Sequence, residues 1–327
     1  MTEVSTHTGY ERSPKYVIAE FLRMVKISRD FYILVEGEYD KRAIDRLAFH
    51  LYGKCSADLS IAIWLSEQLE VDTRSSRKEL IIQACNEAAI MCQGRVAGLV
   101  DRDTHGFDVS EVTDNSPYHE EETEKGILWT RGHSLENYFF TDNIIGNVLT
   151  EFTTSGNHNI LSRAFKDNMK QIFVIASAIY LFGVYLNEEY SIEYRKVKAI
   201  IENDVFIKEA SGEKNALKLN TSRLVEKLLE RYIELIPNRT ELEHKLANIL
   251  EKVSNKEVSV LRWFCHGHIA LRTLLFAYKV LAGSNFNNQN EKQITYSCIE
   301  KWGEAARTQG LEEYPAVLFE FAGLDLS

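Results

Sequence analysis

Proline is nearly missing from this sequence, at 4 in 327 residues, and glycine is modest at 17. Long uninterrupted helices are therefore permitted over much of the chain. No run of about 18 apolar residues occurs, which argues against a membrane span. The closest stretch, Ile172 to Leu186, is too short and carries Ser177, Tyr180 and Tyr185, so it reads as a buried core helix. The opening MTEVSTHTGYERSPKY lacks the basic and then apolar regions of a secretory signal and reads as a frayed polar arm. The five cysteines (Cys55, Cys85, Cys92, Cys265, Cys298) are odd in number and never spaced as CxxC. Reduced thiols in a cytoplasmic protein fit them better than disulfides or a zinc site.

A basic surplus is missing too: the formal net charge is -10. Proteins that grip nucleic acid mainly through phosphates carry an excess of Lys and Arg. The charge speaks against a stand-alone, tight nucleic-acid binder but leaves room for a local basic groove. A site that collects metal ions needs several acids of its own. No GxxxxGK[ST] phosphate loop is present.

What is present is ordinary globular composition, 45% hydrophobic and 26% charged, in a length that suits one large domain or two ordinary ones. Lys15 to Ser28 has apolar residues at helical spacing. FYILV (31–35) reads as a buried strand, followed by a turn and a helix ending near Gly53. LSIAIWL (59–65) is a second strand, RKELIIQACNEAAIMC (77–92) a helix, VAGLVD (96–101) a third strand and GILWTR (126–131) a fourth. Strands alternating with helices imply βαβ units and a mainly parallel sheet. The acidic stretch between the last two strands, with Pro117 and EEETE (120–124), reads as a solvated loop. From Thr141 onward strand signals fade, and segments 159–187, 190–210, 220–236, 239–254, 257–283 and 291–307 carry helical periodicity. The expected organisation is an N-terminal arm and helix (1–29), an α/β domain (30–140) and an all-helical domain (141–327) packed on it.

The chemistry gathers at strand ends. FYILVEGEYD places Glu36 where the first strand runs out, Gly37 in the turn and Asp40 at the start of the next helix. VAGLVDRDTHG places Asp101 and Asp103 at another carboxyl end, and extended geometry there would point both side chains to one side. In open α/β sheets ligands bind outside these ends. Carboxylates crowded so closely raise each other's pKa, and a hard divalent cation relieves them. In RGHSLENYFF (131–140), Ser134 reads as a helix N-cap with Asn137 at the capping-box position, and Glu136 falls in the first turn as a further ligand. For Asp40 a capping role competes evenly with metal ligation, and for Glu136 a first-turn acid favoured by the helix dipole does the same.

LVEGEYD followed by LVDRD resembles the two signatures of Toprim domains, and the added SLENYFF resembles a Toprim family related to the OLD nucleases that includes the effector nuclease of the PARIS anti-phage system. The signatures cover about residues 30 to 140. The resemblance implies a Toprim fold in which Glu36, Asp101 and Asp103 are catalytic and bind Mg²⁺ or Mn²⁺, with Glu136 a further ligand and Asp40 in support. It implies hydrolysis of phosphodiester bonds in tRNA or DNA, control by a separate ABC-type ATPase, and, by analogy, a homodimer when active, with no membrane involved. His268, in WFCHGHIALRTLL, is a supporting candidate for a substrate phosphate, against core or capping roles for His266 and His268. Arg102, Arg131 and Lys41 are candidate phosphate contacts by position, whereas His105 and His133 read as solvated loop residues beside the acids. Two other readings stand beside the nuclease: a non-catalytic regulator that keeps the fold to bind a partner, and a haloacid-dehalogenase-like phosphatase. The second expects its Asp-x-Asp after the first strand and leaves EGEYD unexplained.

Overall fold

The computed structural model describes residues 15–70, 75–92, 94–114, 126–154, 156, 158–211, 214–236, 238–283, 286, 290–309, 315 and 317–324. The polar N-terminal arm and the EEETE loop lie outside these residues. The described chain opens with Tyr16–Val17 (β1) and the helix Ile18–Ile27 (α1), which buries Phe21, Leu22 and Val25. Phe31–Val35 (β2) is buried at all five positions, as a central strand covered on both faces must be. Glu38–Tyr52 (α2) follows and ends at Gly53, whose φ of 67° is the left-handed conformation that stops a helix.

Ile61–Leu65 (β3), Leu69–Glu70 (β4), Arg77–Met91 (α3) and Val96–Val100 (β5) come next. Phe107–Asp108 (β6) pairs antiparallel with Thr113–Asp114 (β7), and Ile127–Trp129 (β8) completes the main sheet. That sheet has the order β3-β2-β5-β8 with every pair parallel. Side chains alternate across it with period two. Phe31, Ile33, Val35, Ala97 and Leu99 face α2 residues Ala43, Ile44 and Leu47. Tyr32, Leu34, Val96 and Val100 face α1 and the α3 residues Ile81, Ala84 and Cys85. A Cβ on Gly98 would lie 2.4 Å from Ile81 Cγ2, so the glycine lets α3 settle onto the sheet.

The second half adds Asn147–Glu151 (α4), His158–Tyr190 (α5) and Tyr194–Ala199 (α6). It departs from the all-helical expectation in one place: Phe206–Ser211 (β9) and Lys214–Leu219 (β10) form an antiparallel hairpin. The helical reading of 190–210 therefore fails at its end. Leu217 is buried between half-buried Ala216 and exposed Lys218, and its N–H donates to Asn168 Oδ1 of α5 at 3.0 Å. Thr221–Tyr232 (α7), Arg239–Ser254 (α8), Val258–Phe264 (α9), Gly267–Ala282 (α10), Glu291–Gln309 (α11) and Val317–Phe321 (α12) complete the chain. The expected helix 257–283 is thus two helices, broken at Cys265 and His266.

The 33-residue α5 is long and apolar enough to cross a membrane by composition, but 78% of its apolar window is buried inside the protein. It fills the role of a core helix. The five cysteines are free. One continuous core runs from Phe31 of β2 to Phe319 of α12, so the helical half and the sheet share their interior. Helix α11 lies along α2, where Glu300 meets Arg42 at 3.2 Å and Arg46 at 3.0 Å, and the Tyr39 and Tyr296 rings meet edge to face at 5.5 Å.

Candidate active site

The carboxyl ends of β2 and β5 are neighbours because the two strands pair directly, with Leu34 opposite Gly98. Glu36 leaves β2 and its Oε1 accepts the Asp101 N–H at 2.9 Å. Asp101 leaves β5 and its Oδ1 accepts the Leu135 N–H at 3.2 Å. Gly37 is the N-cap of α2, and Asp40, three residues on, turns back so that Oδ2 accepts the Gly37 N–H at 2.9 Å. Glu136 Oε2 accepts the Ser134 hydroxyl at 2.6 Å, and Oε1 lies 3.4 Å from His268 Nδ1. Each of these four carboxylates is therefore fixed through one oxygen. Among the described residues, the second oxygens of Glu36, Asp40 and Asp101 have no hydrogen-bond partner.

Burial first, and then neighbouring acids, raise the pKa values of Asp101, Asp40 and Glu36. Burial raises the pKa of Asp101 well above the usual carboxylate value, and Asp40, Glu136, Glu36 and Asp103 push it further. Burial, then Glu136 and Glu36, raise Asp40 to about 8. Glu36 is also raised by burial, opposed in part by the Asp101 N–H and Lys78. This is the electrostatic signature of carboxylates collected without enough positive charge to balance them. Their hard oxygen donors fit Mg²⁺ or Mn²⁺ chemistry. Among the described residues, no three His, Cys, Asp or Glu side chains are grouped so as to hold a metal ion as they stand.

Asp103 differs from the expectation. The strand ends at Val100 and Asp103 has a φ of 50°, so extended geometry does not continue to it. Its carboxylate pairs with Lys78 Nζ in the first turn of α3 and lies 3.7 Å from His133 Nδ1. It adds to the field at Asp101 without joining the other four in their hydrogen-bonded frame.

The turn Leu135–Phe139 that carries Glu136 is a single 3-10 segment locked to the helical half. Asn137 is fully buried; its Oδ1 accepts the Ser134 N–H at 2.9 Å, and its amide donates to the carbonyls of Arg262 at 2.7 Å and Cys265 at 2.9 Å. Gly267, the first residue of α10, allows the closest approach. A Cβ there would sit 2.0 Å from Ser134 Oγ and 3.0 Å from Glu136 Oε2.

Two position-based assignments change, those of Arg102 and His133. Arg102 is buried, and its guanidinium binds Asp114 at 2.6 Å and the carbonyls of His105 and Arg131 at 2.6 and 2.9 Å, so it holds the β6–β7 loop and does not face a phosphate. His133 is buried against Tyr180, its Nε2 3.2 Å from the Tyr180 hydroxyl, and burial drives its pKa down to about 3. His105 is an exposed loop residue as expected, stacked on Trp129 at 4.6 Å. His266 is buried and caps α10, its Nδ1 accepting the His268 N–H at 3.2 Å, whereas His268 is half-exposed beside Glu136. Arg131 stacks over Trp263 at 4.8 Å, and Lys41 lies half-buried in α2. Lys78 and Arg77 were not anticipated; Arg77 reaches the Glu36 carbonyl at 3.4 Å. Their available signal was the RK pair opening a helix after a strand, which puts both side chains near the carboxyl edge of the sheet.

Comparison with protein-family models and with curated proteins yields no match.

Proposed function

We propose that this chain is a Toprim-like, metal-dependent nuclease that hydrolyses phosphodiester bonds, with its centre at Glu36, Asp40, Asp101 and Glu136. The observation that carries the reading is the set of four carboxylates gathered at adjacent carboxyl ends of a parallel sheet, each fixed through one oxygen. Ligands bind such sheets at this edge. Glu36, Asp101 and Glu136 would hold Mg²⁺ or Mn²⁺, with Asp40 in support and Asp103 at the margin. A bound divalent cation would offset the repulsion among the acids, polarise a phosphate oxygen and lower the pKa of a water.

The chain's own groups have the remaining tasks. The Asp101 N–H fixes the Glu36 carboxylate, and the Leu135 N–H fixes Asp101. In the metal-free chain Asp40, with a pKa of about 8, carries a proton at neutral pH, and a bound cation would favour its release. Lys78 is a cation beside the acids that can exchange Asp103 for a substrate phosphate. His268 stands half-exposed next to Glu136 and is in place to donate to a phosphate or a leaving oxygen.

On the strength of the motif resemblance, the substrate is tRNA or DNA, the setting is cytoplasmic anti-phage abortive infection, and a separate ABC-type ATPase restrains the nuclease. A Toprim-fold binding module without catalysis is the second reading. The Lys78–Asp103 ion pair favours it, because it neutralises one carboxylate with no metal. The phosphatase reading is weakened by the position of Asp101, after the third strand of the sheet in chain order.

The test incubates the chain, alone and with its candidate ATPase partner, with total tRNA and with plasmid DNA in Mg²⁺ or Mn²⁺. The nuclease reading expects cleavage that disappears in EDTA and in Glu36→Ala. Equal cleavage by Glu36→Ala, or none from the activated system, hands the case to the binding module.

A further inference from the structure

Asp103 and Thr104 line a second space, a cavity of about 520 Å³ between the Asp-x-Asp loop and the helical half. That volume falls within the ~300–1,000 Å³ usual for small-molecule sites. Its walls are flat rings. His133 meets Tyr180 edge to face at 5.1 Å and His266 at 4.4 Å, and Tyr194 meets His266 at 4.4 Å. Gly183, on α5, contributes no side chain to the lining, and a Cβ there would meet Tyr194 Cβ at 3.6 Å. His133 is 4% exposed, and its Nδ1 has no hydrogen-bond partner among the described residues.

The charge of the lining selects what can enter. Asp103, Glu188 and Glu193 are present, and none of the described lining residues is Lys or Arg. A phosphate would be repelled there, whereas an uncharged ring would stack. Asn187 and the carboxylates of Glu188 and Glu193 offer acceptors to N–H groups on that ring's edge. The shared residue Asp103 puts the cavity next to the place where a backbone phosphate would lie.

We propose that this cavity receives a nucleobase turned out of the strand being cut, and that it favours bases with an exocyclic amino group. The proposal rests on the nuclease reading for its setting. The base stacks on the half-buried Tyr194 ring, which is backed by His266, while its amino group donates to the acidic rim. Turning a base out of its stack to read its edge is how enzymes working on single strands gain selectivity.

The experiment is saturation-transfer NMR on the full chain in EDTA, with adenosine, guanosine, cytidine and uridine each at millimolar concentration. Nucleosides carry no phosphate and the buffer holds no metal, so the result does not depend on cleavage. The expected result is transfer to the base protons of adenosine, guanosine and cytidine, weaker for uridine. Tyr194→Ala should weaken it about tenfold or more, in line with the worth of one base-stacking ring, and Tyr194→Phe should retain it. No transfer from any nucleoside, equal transfer in Tyr194→Ala, or preference for uridine overturns the proposal, even if the chain proves to be a nuclease. Binding with the expected pattern upholds the cavity even if the cleavage assay fails.

Discussion

Replacing Asp40 by Asn couples the chemistry of the acidic cluster to the stability of the fold. Burial raises this carboxyl from 3.8 to about 8, with Glu136 and Glu36 adding to the shift. In the unfolded chain the group is ionised above about pH 4, so folding at pH 7 has to take up a proton. Because the folded pKa lies above the unfolded one, the group favours the fold at low pH. That contribution is lost as pH rises from about 4 to about 8. At pH 7 the proton uptake spans about three pH units, which at about 1.4 kcal/mol each costs about 4 kcal/mol. Asp40→Asn removes this cost, and its amide oxygen can still accept the Gly37 N–H. At about 2 °C per kcal/mol for a chain of this size, Tm at pH 7 should rise by about 8 °C. The gain should shrink to nothing near pH 4. Thermal unfolding followed by circular dichroism from pH 4 to pH 9, with EDTA present throughout, measures both. A Tm at pH 7 equal to or below that of the parent would refute the reasoning, as would a gain that does not vary with pH. The same substitution should impair cleavage, so stability and activity should move in opposite directions.

Gly267→Ala forces a Cβ to 2.0 Å from Ser134 Oγ, and should destabilise by about 1–3 kcal/mol in denaturant unfolding while displacing Glu136 and reducing cleavage. Asn137→Ala leaves the Arg262 and Cys265 carbonyls and the Ser134 N–H without their partner, at about 1–3 kcal/mol per group, and equilibrium unfolding should show a loss larger than for Gly267→Ala. Arg102→Met strips Asp114 and two carbonyls of a buried cation, and should cost about 3 kcal/mol or more; an unchanged midpoint would mean that Arg102 is not structural.

Much of the α/β half could be read from local pattern. FYILV and VAGLV are apolar runs bounded by turn residues, and a strand covered on both faces has that appearance. Glu36 and Asp101 followed from strand-end logic, because a parallel sheet presents its carboxyl ends together. Asp103 did not, since its positive φ arises from the loop that Arg102 ties to Asp114 and no two-residue spacing encodes it. The hairpin at Phe206–Leu219 was hidden because its short alternation is interrupted by charged residues and fixed by Asn168 from α5, far away in sequence. The break between α9 and α10 depends on the approach of Gly267 to Ser134, a long-range contact that periodicity cannot register. Lys78 became a site residue only when folding brought it to Asp103, 25 positions away.

The central claim is that Glu36 and Asp101 jointly hold a divalent cation, and Mn²⁺ titration followed by electron paramagnetic resonance tests it without a substrate. The account predicts saturable uptake of Mn²⁺ by the parent chain, competed by Mg²⁺, and its loss in Glu36→Gln and in Asp101→Asn with the fold intact by circular dichroism. No uptake by the parent, or uptake unchanged in both variants, would contradict it.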